Sequence, residues 1–399
     1  MPEVIEQAAG MAGAGVAEAA QNPALLKLIL AWYGVAAEAA AETAFEFTID
    51  GQIGARARVN PASPLKLLDR NGFVLIADST SSVRVRIVPE PRFAALRSTR
   101  GVRLGDVVQV RGGYAVVTLG GGCGLAVPGH ACAFCMGREL TEKAGELWLP
   151  DDVVDALRAA FDEGAAEFVH FRVGYFPGDD AGLEQLRPYL EAVNRHFDTM
   201  VAVTMHPPAA SRSIDLTYAS GVDVIAYNLE APDADSMRRN LPGRTRFLGR
   251  ERYLAALRHA ARIFPSGAVW SELLLDLGPP ASLAAAVDEL AAIGVVPLLG
   301  VGASSSHEAL DSSGIVDLPA HLFGAVLKAG ISMNWARDLS SLITPLEARY
   351  FVPDAPHLPV LIQQLARNRL GALTTRSLAR LRRRLRVRRV RASFDSSRL

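Results

Sequence analysis

The pattern of hydrophobic and polar positions changes character three times along the chain. From Asn22, the run NPALLKLILAWYGVAAEAAAETAF sets apolar residues at helical spacing, with Asn22 as a cap and Pro23 in the first turn. This predicts helix into the low forties. From about Phe45 the period shortens. FEFTIDGQIGARARV, GFVLIADS, SVRVRIV and DVVQVRGGYAVVTL alternate, or run in β-branched residues, between DG, NG and GG turns. They predict a small β-rich module ending near Leu119. Farther on, the apolar segments EFVHFRV (167–173), MVAVTM (200–205), VDVIAYN (222–228), AVWSELLL (268–275) and VVPLLGV (295–301) read as strands. Between them lie the helical patterns DDVVDALRAAFDEG, LEQLRPYLEAVNRHF, RYLAALRHAARIF and SLAAAVDELAAIG. Strands apolar on both faces and joined by helices predict a parallel α/β sheet or barrel. Counting GYAVVTL gives six strands, fewer than the eight of a closed barrel.

The expected fold is therefore α/β, a partial barrel of six βα units of the TIM type over residues 116–330. A helical segment (1–44) and a β-rich module (45–115) precede it, and an extension (331–399) follows. The first part of that extension, ISMNWARDLSSLITPLEARYF, is expected to pack over the core.

Composition adds the setting. The 399 residues are 50% hydrophobic and 21% charged with zero net charge, which suits a soluble globular protein. The N-terminus carries early acids without a long apolar core, so it does not read as a signal peptide. No stretch offers the ~20 apolar residues of a membrane span. A cytoplasmic setting is expected. From Ala355 to Phe394 there is no acid, and LARLRRRLRVRRVR interleaves leucine with arginine. Such a tail suits an anionic membrane surface or RNA, and equally a solvated basic helix.

All three cysteines fall in GGGCGLAVPGHACAFCMGREL, as Cys123, Cys132 and Cys135. An odd, clustered set argues against a secreted disulfide framework. The loop follows the first strand of the parallel sheet, at the strand ends where such folds bind ligands. Three thiolates from one loop can hold a four-iron cluster and leave one iron open. Zinc is the rival, since Cys123, His130, Cys132 and Cys135 also make a Cys₃His set. No complete dinucleotide fingerprint and no P-loop GK[ST] occur, which disfavours a nucleotide-dependent dehydrogenase.

CGLAVPGHACAFC resembles the cluster loop of radical S-adenosylmethionine enzymes, with Phe134 at the aromatic position before the last cysteine. The first gap is eight residues, where the commonest form has three. DVIAYNLEAPDA, followed by RTRFLGRERYLAAL, is similar to the corresponding region of the biotin synthase and lipoyl synthase group. The resemblance implies one [4Fe–4S] cluster on Cys123, Cys132 and Cys135, and S-adenosylmethionine as cofactor. It implies Asn228 and Glu230 at the cofactor ribose, Gly174 at its amino group and Arg252, with Arg250 in competition, at its carboxylate. In RVGYFPGDD the family's acidic residue is displaced to Asp179. On the fifth strand, Ser271 stands near the family's polar position, and only one of Ser271 and Glu272 faces inward, because side chains alternate. The implied reaction is cleavage of the cofactor to a 5′-deoxyadenosyl radical that takes hydrogen from an unidentified substrate, with flavodoxin or ferredoxin as electron donor. An iron–sulfur sensor or electron carrier is the non-enzymatic alternative.

Overall fold

The computed structural model describes residues 22–37, 43–49, 53–69, 73–76, 82–120, 125, 132, 148–302, 315–336, 339–353 and 355. Helix α1 (Pro23–Tyr33) starts as its sequence predicts, with Asn22 Oδ1 accepting from Leu25 N at 3.0 Å and Pro23 in the first turn. It stops sooner than the apolar run suggests. Gly34 has φ 70°, and a Cβ there would lie 2.5 Å from the Arg58 carbonyl oxygen. The chain leaves the helix at this close approach, and the next alanines become strand. This corrects the helical reading of 1–44 at that stretch: pairing with a sheet overrides the helix preference of alanine.

Strands β1 (Ala36–Ala37), β2 (Ala44–Ile49), β3 (Ile53–Arg58), β4 (Lys66–Asp69), β5 (Phe73–Ile76) and β6 (Ser82–Ile87) make a six-stranded sheet in the order β1-β4-β5-β6-β2-β3. Its recorded strand pairs are antiparallel except β1 with β4. In β3, Ile53, Ala55 and Ala57 are buried and alternate with half-buried neighbours, and α1 lies against this strand. Lys27 of α1 is buried. Its Nζ donates to Leu339 O at 2.7 Å and to Glu347 Oε1 at 2.8 Å, tying the N-terminal helix to the segment after Gly330. Such a pair adds little over apolar packing, but removing one partner costs about 3–5 kcal/mol.

The second sheet holds the larger part of the core. After α2 (Leu104–Val107), the hairpin β7 (Gln109–Arg111) and β8 (Tyr114–Leu119) opens it. Then follow α3 (Pro150–Glu163), β9 (Phe168–Val173), α4 (Leu183–His196), β10 (Val201–Thr204), α5 (Ser211–Ala219) and β11 (Val224–Ala226). Three helices come next: α6 (Ala234–Asn240), α7 (Pro242–Phe247) and α8 (Arg250–Ile263). The run closes with β12 (Val269–Leu274), α9 (Pro280–Ala292), β13 (Val296–Gly300) and α10 (Asp317–Lys328). The strand order is β13-β12-β11-β10-β9-β8-β7, parallel from β8 to β13 with β7 as an antiparallel edge. The sheet thus begins at Gln109, ahead of the boundary at 116, because β7 pairs with β8 and not with the six-stranded sheet.

Helices α5, α6, α7 and α10 are absent from the sequence expectation. The polar ADSMRRN of α6 shows no apolar stripe, and what starts it is local: Asp233 Oδ1 accepts from Ser236 N at 2.7 Å. Beyond α10, Ile343 exchanges backbone hydrogen bonds of 3.1 and 2.8 Å with Leu299 of β13, and the short α11 (Pro345–Ala348) follows with a capping box from Thr344. No helix among the described residues is long and apolar enough to cross a membrane. The arginine-rich tail lies outside the described residues.

Candidate active site

The parallel strands are in register across a row: Thr118 of β8 with Arg172 of β9, Thr204 of β10, Ala226 of β11 and Trp270 of β12. Side chains alternate along a strand, so residues two places on point the same way. That second row is Gly120, Gly174, His206, Asn228 and Glu272. Both rows line one cavity of about 340 Å³, which shows the sheet curled into an open half-barrel. His170 lies one layer deeper, and Leu298, Leu339 and Leu342 close the apolar side. The second row stands at the carboxyl ends of the strands, where parallel α/β folds carry their chemistry.

Glu230 is the most constrained member. It has φ 63°, a region that non-glycine residues seldom occupy and that costs about 1–3 kcal/mol where it is imposed. Two backbone bonds of 2.8 Å impose it, Glu230 N to Glu272 O and Leu274 N to Glu230 O. The carboxylate is thereby fixed at the wall. Its Oε1 accepts from Arg244 Nη2 at 2.8 Å, and its buried Oε2 has no hydrogen-bond partner among the described residues. Arg244 Nη1 also donates to Asn228 O at 3.1 Å, and Asn228 Nδ2 donates to Glu272 Oε2 at 3.1 Å. One chain of contacts joins Glu230, Arg244, Asn228 and Glu272.

Burial works against the Arg244 charge, yet Glu230 first, then Tyr253 and Cys132, outweigh it and hold the guanidinium more firmly protonated than usual. Burial raises the Tyr253 phenol as well, with Arg244 opposing and Glu230 and Cys132 adding. Cys132, half-buried against the core, is thus close enough to act electrostatically on both side chains at the cavity wall. His206 Nδ1 lies 2.9 Å from the Tyr253 hydroxyl, and burial, then Arg244 and Arg252, keep this imidazole neutral. His170 is neutral too. Burial, then Arg172, lower it to about 3, and its Nε2 pairs with Thr204 Oγ1 at 2.8 Å.

Glu272 carries the opposite shift. Burial first, then Glu230 and more weakly Asp276, push it up to about 7 against the pull of Arg172 and Arg244. A Cβ on Gly300 would lie 2.5 Å from Glu272 Oε1, so only glycine leaves this carboxyl its place. Folded Glu272 keeps its proton to about pH 7, while the unfolded side chain releases it near 4.5. The folded state therefore binds more protons across that window. The contribution is fully present below pH 4.5 and is lost as pH rises through about 7. Unfolding free energies from urea titrations should fall over this range by up to about 1.4 kcal/mol per pH unit. Glu272→Gln should flatten the fall, and an unchanged slope in the variant would refute the assignment.

Of the residues singled out in the sequence, Gly174, Asn228 and Glu230 meet at the cavity. Arg252 does not line it, and its Nε donates to Pro207 O at 2.9 Å. Arg250 is paired with Glu289 and bonded to Pro232 O. The arginine at the wall is Arg244, placed there by α7. Ser271 is also corrected. The pleat of β12 turns Trp270 and Glu272 inward, and fully buried Ser271 instead accepts from Leu229 N through Oγ at 3.0 Å. Cys123, His130, Phe134 and Cys135 lie outside the described residues. Among the described residues no group of three His, Cys, Asp or Glu side chains is set to hold a metal.

No protein-family model matches this chain, and no curated protein does. Among solved structures it is similar to the FeFe-hydrogenase maturase HydG from Carboxydothermus hydrogenoformans, at 16% identity and a TM-score of 0.39, over 54% of this chain and 50% of that one. A second HydG structure, described as a maturase of the [FeFe]-hydrogenase, gives 13% identity and a TM-score of 0.41 over 56% and 52%. The chain spans about half the length of these proteins. Likeness at this level carries no function across, and the chemistry rests on the residues.

Proposed function

We propose that this chain is a radical S-adenosylmethionine enzyme that holds one [4Fe–4S] cluster on Cys123, Cys132 and Cys135. The observation that carries the reading is the meeting of Gly174, Asn228 and Glu230 at one cavity, with Glu230 held by Arg244 at its wall. These residues come from separate segments, and the resemblance that picks out Asn228 and Glu230 is independent of the cluster loop. Bound cluster and cofactor would supply reductive cleavage of the sulfonium and hydrogen abstraction from a substrate, with an electron donor of the flavodoxin or ferredoxin kind.

The donor set suits that cofactor. Glu230 Oε2 is a buried acceptor without a donor, a condition that costs about 1–3 kcal/mol and that a ribose hydroxyl would relieve. Gly174 N already donates to Leu119 O at 2.8 Å, so its carbonyl is the group left to receive an ammonium. Arg244 and Asn228 hold Glu230 and Glu272 in place. Trp270, Leu298, Leu339 and Leu342 exclude water from the reacting end.

The test is direct. The chain, purified and reconstituted with iron and sulfide without oxygen, should release 5′-deoxyadenosine from S-adenosylmethionine when reduced with dithionite. Glu230→Gln and Asn228→Ala should each weaken cofactor binding by about 1–3 kcal/mol. Normal binding by both variants would place the cofactor elsewhere.

A further inference from the structure

Among the described residues, the cavity holds a cation that makes no ion pair with its walls. Arg172 lies in the first inward row, between Thr118 and Thr204, is solvent-exposed, and has no ion pair or hydrogen bond among the described residues. The other charges nearby are committed. Glu230 is closed on Arg244, and Glu272 accepts from Asn228. On the edge strand β7, two strands from β9, Arg111 repels Arg172, and the acid there, Glu46 of β2, is already shared by Arg56 at 3.0 Å and Arg111 at 3.9 Å. The two histidines lining the cavity are neutral. Glu272 attracts Arg172 without an ion pair between them, so the guanidinium keeps its donors free of a carboxylate among the described residues.

We infer that the substrate of this cavity is a small molecule bearing a carboxylate or phosphate, and that Arg172 receives that group. A guanidinium presents a planar fork of donors that matches either oxyanion two bonds at a time. Arg172 sits one layer below Gly174, His206 and Asn228, so an anion on it occupies the floor while the cofactor contacts proposed above stay in the upper layer. Thr118 and Thr204 place hydroxyls on either side of the same row. The assignment rests on the proposed function only in naming the ligand a substrate.

The full chain is titrated with inorganic phosphate and, separately, with malonate at constant ionic strength, following the unfolding temperature. Saturable stabilisation by either anion is expected, with a midpoint at least tenfold higher in Arg172→Gln and intermediate in Arg172→Lys. Unchanged iron content and circular dichroism in the variants establish that they are folded. A response to phosphate alone marks a phosphoryl substrate, and to malonate alone a carboxylate. No saturable response in the wild type, or the same midpoint in Arg172→Gln, overturns the inference. Anion binding through Arg172 in a chain that holds no iron keeps the inference and overturns the radical enzyme.

Discussion

Replacing Cys123, Cys132 or Cys135 by Ala is expected to take the anaerobically reconstituted chain from about four irons to well under one, and cofactor cleavage to background. Each thiolate would hold one iron of the cluster, and three ligands from one loop leave no spare to substitute for a lost one. The fold should survive. The seven-stranded sheet carries a continuous core of buried apolar side chains, to which Cys132 adds only a half-buried contact. Far-UV circular dichroism and the unfolding temperature are expected to change little beside the loss of iron. A structural zinc site makes the opposite forecast, because such a metal supplies folding energy to the segment it staples. One zinc per chain, no iron after reconstitution, and unfolding of each variant would decide for zinc on Cys123, His130, Cys132 and Cys135.

What the sequence disclosed follows the strength of its periodic signals. Strands β9 to β13 fall within the apolar segments that mark them, because helices cover one face and the cavity-lining layers fill the other. Gly174, Asn228 and Glu230 were legible for a related reason, since each closely follows a buried strand whose direction is fixed by its crossover helix. Parity was not legible. Ser271 and Glu272 are both polar on an apolar strand, and only the register of β12 with Leu298 and Ala226 shows which faces in. The arginines were ambiguous for another reason. Arg244, Arg250 and Arg252 lie within nine positions, and the turn between α7 and α8, at Gly249 with φ 75°, sends them to different partners. The end of α1 depends on the approach of Arg58, a contact distant in sequence. Arg172 is an ordinary strand residue until its neighbours in the sheet are known.

The Arg244–Glu230 pair supports the second large effect. Both side chains are only about one-tenth exposed, at 13% and 11%, so neither charge has water to fall back on. Arg244→Met should lower stability by about 3–5 kcal/mol, since it leaves the Glu230 carboxylate buried and unpaired on a backbone that cannot swing away. In a urea titration that is a large share of the ~5–15 kcal/mol by which domains are stable. Pairing this change with Glu230→Gln should recover the greater part of the loss, because two neutral groups of similar size avoid the desolvation that the lone charge suffers. Cofactor binding should not recover with it. The double variant would be folded yet lack the carboxylate proposed to meet the ribose, which separates the stabilising role of the pair from its proposed binding role. The cycle of single and double variants reads the coupling directly, and a value of several kcal/mol is expected. Strictly additive losses would mean that the two side chains do not meet in solution. Full cofactor affinity in the double variant would remove Glu230 from the binding site while leaving its part in the fold intact.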